Sequence, residues 1–201
     1  MKPDAPDKAS GMNKTKTERM VYIMKLGFNE ATALECKGQS LLADMEMCEK
    51  YGFDYIEIRF DCVKDYLQEH TLEELADWFK NHHLKPWAYN TLIYFNQRDE
   101  AGKKEIDDEV DFILKVSKAI GMKMLITVPN FDVKDKSVSE IKEEAVERLR
   151  YLSDKVGADM KISLEFCGAP NCSINQFGTA YDVVKAVDRD NVGTVSYTHL
   201  R

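Results

Sequence analysis

Residues 55–60 have the sequence Tyr-Ile-Glu-Ile-Arg-Phe, and residues 162–166 have the sequence Ile-Ser-Leu-Glu-Phe. Both segments alternate apolar and polar side chains with the period of two that is typical of a β-strand. One face of each strand is therefore apolar, whereas the other carries Glu57 and Arg59 in the first segment and Glu165 in the second. This pattern predicts a sheet that meets helices on one face and has a polar second face.

Similar strand-like segments recur along the chain at intervals of about 30 to 40 residues, the length of one strand-helix unit. Stretches of helical period separate them, as in residues 141–156. Polar residues end several of the strands, namely Asn29, Asn90 and Thr127, and would meet at one mouth. These features favour an α/β fold of the (β/α)8 TIM barrel type over an open doubly wound sheet. The predicted strands are 25–29, 55–60, 85–90, 124–128, 161–166 and 191–195.

Residues at the ends of the predicted helices agree with this alternation. Thr71 with Glu74, and Ser137 with Glu140, have the spacing of a capping box, in which each side chain binds the other residue's free backbone amide. Both pairs predict the start of a helix. Glycine favours the left-handed conformation in which many helices end. Three glycines lie between a helical stretch and the next strand: Gly52, Gly121 and Gly157.

The composition indicates one globular domain. The chain has 201 residues, of which 44% are hydrophobic and 31% are charged. With 28 basic and 35 acidic residues its net charge is −7, which disfavours nucleic acid as a partner. No apolar run reaches the roughly 18 to 20 residues that a membrane span requires. An odd number of scattered cysteines predicts reduced thiols and a cytoplasmic location; they are Cys36, Cys48, Cys62, Cys167 and Cys172.

Glu165 is the first candidate for a chemical role. A carboxylate near the end of a mostly apolar strand must be paired, protonated or bound to a cation. An ion pair with a basic neighbour is the structural alternative. Glu57 and Arg59 could pair with each other or bind a hydroxylated substrate. Asn29, Glu30 and Asn90 offer hydrogen bonds to a polyol, although asparagine at a strand end also caps loops.

Five blocks of the sequence resemble the inosose isomerase family, which belongs to the xylose isomerase-like TIM barrel superfamily of sugar isomerases and epimerases. The resemblance runs from about Met24 to Val195 and keeps the order of the blocks. The blocks are Phe28–Thr32 (FNEAT), Tyr55–Arg59 (YIEIR), Asn96–Glu100 (NQRDE), Leu164–Phe166 (LEF) and Arg189–Gly193 (RDNVG).

This resemblance implies an isomerase that moves the carbonyl of a keto-sugar or cyclitol by proton transfer through a metal-bound enediolate. It implies a divalent metal (zinc, manganese, magnesium or cobalt) at the barrel mouth, with Glu165 as a ligand and as the residue that exchanges the proton. Asn29, Glu57, Arg59 and Asn90 would contact substrate hydroxyls, and a homo-oligomer stays possible. Two alternatives remain: an inosose dehydratase-type lyase on the same barrel, and a non-catalytic part-barrel.

The two ends of the chain differ from the family pattern. Residues 1–20 are polar and predict a disordered tail, which leaves 21–195 as the barrel domain. The family continues its sixth strand into an aspartate and a histidine that bind metal, whereas residues 196–201 have the non-native-looking sequence Ser-Tyr-Thr-His-Leu-Arg. His199 is out of register and receives no ligand role. We therefore expect a C-terminally truncated barrel, with about six of the eight strand-helix units of the fold.

Overall fold

The computed structural model describes residues 24–34, 36 and 38–195. The tails predicted at 1–20 and 196–201 lie outside these residues. The strands are β1 (Gly27–Asn29), β2 (Tyr55–Ile58), β3 (Lys85–Ile93), β4 (Met124–Val128), β5 (Lys161–Glu165) and β6 (Val192–Val195). The helices are α1 (Leu41–Lys50), α2 (Phe60–Glu69), α3 (Leu72–Asn81), α4 (Glu100–Ile120), α5 (Val138–Val156) and α6 (Phe177–Val187), and a 3₁₀ helix covers Glu30–Ala33.

The order of the strands decides between the two fold classes. All neighbouring strands are parallel, and their spatial order β1-β2-β3-β4-β5-β6 is also their order in the chain. A doubly wound sheet reverses its strand order at a switch point, whereas a (β/α) barrel adds each strand beside the previous one. The described residues therefore confirm the predicted barrel topology over six strands.

One face of this sheet packs against the helices. Ile56 and Ile58 of β2 and Ile162 and Leu164 of β5 are buried in one hydrophobic core with residues of the helices. The alternating residues of the same strands lie on the opposite face, which we call the lumen face because it lines the interior of a barrel. Its polar residues towards the carboxyl ends of the strands include Glu57, its register partner Asn29, its hydrogen-bond partner Asn90, and Ser163 and Glu165.

Three strand boundaries differ by two residues or more from the sequence prediction, and one boundary each of β5 and β6 differs by one residue. β1 begins at Gly27, and β2 ends at Ile58 because helix α2, which the pattern did not predict, begins at Phe60. Arg59 is therefore the residue before α2 and lies outside the strand. β3 continues to Ile93 across an irregular register between Tyr89 and Leu92, so Asn90 lies within the strand.

The prediction that Thr127 contributes to the polar mouth is wrong. Thr127 of β4 is the register partner of Leu164, which belongs to the core. Register partners in parallel strands share a face of the sheet. The Thr127 side chain is fully buried, and its hydroxyl donates a hydrogen bond to the carbonyl oxygen of Ser163 at 3.4 Å. It therefore faces the helices.

The predicted helix ends are confirmed. Capping boxes open α3 at Thr71 and α5 at Ser137. Gly121 and Gly157, which follow α4 and α5, have φ values of 79° and 76°, the backbone region that glycine adopts without steric cost. Within the part of the chain that the structure describes, no helix has the length and hydrophobicity needed to cross a membrane.

Candidate functional site

Glu165 is the last residue of β5, and its side chain is partly buried on the lumen face. Its carboxylate forms no hydrogen bond or ion pair with any other described residue, so the basic partner of the structural alternative is not found there. Burial raises the pKa of Glu165, and the charge of Glu57 raises it further. The negative charge of this carboxylate must therefore be neutralised by a proton or balanced by a bound cation.

Glu57 of β2 shares the lumen face with Glu165 and is also partly buried. Its Oε2 atom accepts a hydrogen bond of 2.8 Å from the side-chain amide of Asn90 on the neighbouring strand β3. Burial raises the pKa of Glu57, and the Asn90 hydrogen bond opposes this rise. The structure therefore brings Glu57, Asn90 and Glu165 onto one face of the sheet.

The other two predicted site residues, Asn29 and Arg59, are the residues that directly precede the 3₁₀ helix and α2. The Asn29 side chain accepts a hydrogen bond of 2.9 Å from the backbone N–H of Ala31 and so caps the 3₁₀ helix. The Arg59 guanidinium pairs with Asp61 in the first turn of α2. The possible pair between Glu57 and Arg59 is therefore wrong: each residue has a different partner.

A buried glutamate lies beside the mouth at Glu30, which the sequence offered only as a possible contact for a polyol. Glu30 is fully buried, its Oε2 accepts the backbone N–H of Arg59 at 2.7 Å, and its Oε1 has no hydrogen-bond partner. Burial raises the pKa of Glu30 to about 7, and the nearby charge of Asp44 contributes to the rise. The only sequence signal for this residue is its position directly after Asn29 at a strand end.

Three loops at the carboxyl ends of the strands are joined by hydrogen bonds. Asn96, which follows β3, is fully buried, and its Oδ1 accepts the backbone N–H of Asn130 at 2.7 Å. Ser173, which follows β5, donates its backbone N–H to the carbonyl oxygen of Asn130 at 2.9 Å. The Asn96 amide also contacts the Ser173 hydroxyl at 3.5 Å. The loops after β3, β4 and β5 therefore form one connected rim.

The described residues do not form a complete metal centre. No group of three or more histidine, cysteine, aspartate or glutamate side chains that could hold a metal ion comes together among residues 24–34, 36 and 38–195. All five cysteines are free thiols, as predicted. Of the metal ligands that the family pattern implies, the described residues therefore contain Glu165, whose carboxylate can bind a metal ion through oxygen.

A comparison with protein families identifies the barrel. The model of the family described as xylose isomerase-like TIM barrel matches residues 45–196. The chain belongs to this family. Its members place their active sites where the carboxyl ends of the strands meet, as barrels of this kind do. Glu57, Asn90 and Glu165 lie in that region of this xylose isomerase-like barrel.

Within the xylose isomerase-like family, the chain is similar to several curated proteins named inosose isomerase. It is 46% identical to that of Bacillus velezensis over 174 residues, which are 86% of this chain and 61% of the relative. It is also 46% identical to that of Bacillus subtilis, again over 86% of this chain and over 62% of the relative. The chain thus spans about three fifths of the length of these relatives.

Solved structures agree with the xylose isomerase-like assignment. A crystal structure of IolI protein with a zinc atom matches with a TM-score of 0.80 and 45% identity, over 85% of this chain and 62% of that chain. D-psicose 3-epimerase from Clostridium cellulolyticum H10 matches with a TM-score of 0.66 and 20% identity, over 85% of this chain and 62% of that one. The second likeness shows the fold alone.

Proposed function

We propose that the protein carrying this chain is a metal-dependent isomerase of a keto-cyclitol of the inosose type. The reaction moves a carbonyl to the neighbouring carbon by proton transfer. Identities of 45% to 47% with proteins named inosose isomerase support this proposal. The zinc atom in the similar IolI structure supports a divalent metal, and zinc is the first metal to test.

The observation that carries the proposal is the environment of Glu165. This carboxylate is partly buried at the end of β5 and has no hydrogen-bond or ion-pair partner in the described part of the chain. Its oxygens are not among the unpaired side-chain atoms that are fully shielded from solvent. Its oxygens therefore remain accessible from the lumen, as a metal ligand requires. Oxygen ligands of this kind bind divalent zinc and magnesium. When bound, such a metal supplies Lewis-acid polarisation of the substrate ketone.

The remaining side chains of the lumen face suit a hydroxylated substrate. Asn90 uses its amide nitrogen for Glu57, so its Oδ1 stays available to accept a hydrogen bond from a substrate hydroxyl. Asn29 uses its oxygen for Ala31 and keeps its amide nitrogen as a donor. Glu30 holds the backbone N–H of Arg59 and Asp61 binds one nitrogen of its guanidinium, which leaves other guanidinium N–H groups as donors for a substrate hydroxyl. A ring bearing a hydroxyl on each carbon could bind these donors and acceptors together.

The product of the reaction tests the proposal. The complete gene product that carries this sequence is loaded with zinc and incubated with 2-keto-myo-inositol, and the product is examined by mass spectrometry and proton NMR. We expect a product of unchanged mass with the carbonyl on a neighbouring carbon. A product that has lost one water would identify a dehydratase. No conversion with any of zinc, manganese, magnesium or cobalt would support the non-catalytic alternative.

A further inference from the structure

We propose that Glu57 is the catalytic carboxylate that carries the proton between the two carbons of the substrate, and that Asn90 is its positioning residue. This inference rests on the proposed function, because it assigns the proton-transfer step of that reaction. The sequence resemblance assigned the proton to Glu165. The arrangement of the lumen face assigns it to a second carboxylate.

One oxygen of the Glu57 carboxylate is fixed by a hydrogen bond, and the other is free to act as a base. One of its oxygens, Oε2, is fixed by the 2.8 Å hydrogen bond from Asn90. The other oxygen, Oε1, has no hydrogen-bond partner among the described residues. It is also not fully shielded from solvent. It therefore remains accessible from the lumen. A base oriented by a neighbour, with one free oxygen towards the substrate space, is the arrangement that general base catalysis requires.

The position of Glu57 relative to Glu165 separates two tasks. Both carboxylates lie on the lumen face, and strands β3 and β4 separate their strands in the sheet. Their charges nevertheless interact, since the charge of Glu57 acts on Glu165. Of these two carboxylates, Glu165 is assigned to a cation in the proposed function, whereas Glu57 keeps one oxygen without a hydrogen-bond partner among the described residues.

The proposed step balances as follows. Glu57 Oε1 takes the hydrogen from the carbon beside the ketone as a proton. The electrons of the broken C–H bond form a C=C bond, and the ketone π electrons move to its oxygen. The proton on Glu57 then passes to the former ketone carbon. The neighbouring hydroxyl loses its proton and becomes the new ketone, while the former ketone oxygen gains one, so the net change is the position of the carbonyl.

Glu57→Gln removes the base while keeping the size of the side chain and a hydrogen-bonding group for Asn90. The reaction is run in D₂O with the zinc-loaded, complete gene product, and deuterium in recovered substrate and product is measured by NMR. We expect isomerisation and deuterium exchange to fall about 100- to 10,000-fold. Zinc content and the Kd for 2-keto-myo-inositol are expected to stay unchanged. The matched control is Glu73→Gln, an exposed glutamate of α3.

The outcomes distinguish this inference from the proposed function. If the wild type converts 2-keto-myo-inositol and Glu57→Gln converts it equally fast, Glu57 is not the base and the proposed function stands. If Glu57→Gln weakens binding without lowering kcat, Glu57 only binds substrate and the inference is overturned. If the wild type does not convert it, the proposed function itself fails. Should Glu57→Gln not fold, Glu57→Asp decides: isomerisation and deuterium exchange that are slowed together support the role, and an unchanged rate contradicts it.

Discussion

Replacing Glu165 with glutamine is expected to lower the zinc affinity of the complete gene product more than a hundredfold and to abolish isomerisation. The amide oxygen is neutral and competes poorly for a divalent cation. Loss of a residue that merely supports a metal ligand costs about 10- to 100-fold in affinity, so loss of a ligand should cost more. Glu57→Gln, by contrast, is expected to keep its zinc.

Equilibrium dialysis against zinc measures this affinity directly and needs no substrate. Glu147→Gln, an exposed glutamate of α5, serves as the matched control, because it changes the net charge by the same amount outside the lumen face. Circular dichroism of both variants checks that the barrel is intact. Zinc binding by Glu165→Gln at wild-type affinity would show that Glu165 is not a ligand, and would remove the main structural support for a metal-dependent reaction.

Glu30→Gln is expected to stabilise the protein at pH 8 and to have a much smaller effect at pH 5. The folded protein raises the pKa of Glu30 from 4.5 to about 7, whereas the unfolded chain keeps the ordinary value. Between these values the folded state holds a proton that the unfolded state has released. Stability therefore falls as the pH rises through this window and levels off above it. The full effect is on the order of 3 kcal/mol.

Urea unfolding at pH 5 and pH 8 measures this difference. Glutamine can accept the Arg59 N–H as Glu30 does, and its side chain does not ionise. Part of the pH dependence should remain in the variant, because burial also raises the pKa of Asp44. Glu46→Gln is the control, since Glu46 lies exposed in α1, the helix that contains Asp44. Equal pH dependence in the wild type and in Glu30→Gln would contradict the prediction.

The sequence predicts which side chains face the lumen in strands with one apolar face. It does not predict this in strands with two apolar faces. In β2 and β5 the alternation of Ile and polar residues placed Glu57 and Glu165 correctly on the lumen face. In β4, residues 125–128 are all buried, so the sequence carries no period that tells one face from the other. The wrong face was therefore assigned to Thr127. The register with β5 supplies the missing information.

The surroundings of the candidate site depend on contacts that no local pattern records. Arg59 continues the alternation of β2, but the strand ends before it, because Phe60 begins a helix and Asp61 binds the guanidinium. The pair Glu57 and Asn90 joins residues 33 positions apart, and the pair Asn96 and Ser173 joins residues 77 positions apart. Such distances in the chain are set by the barrel topology, and only folding brings these side chains together.

The hydrogen bonds of the connected rim couple the movements of the loops after β3, β4 and β5. Because the Asn130 backbone bonds both Asn96 and Ser173, a displacement of the middle loop breaks contacts with its two neighbours. We therefore expect the three loops to open as one cooperative unit with a single free-energy cost. A substrate entering between them would meet a common gate, and the amides of Asn130 and Ser173 would exchange their hydrogens with solvent in the same opening event.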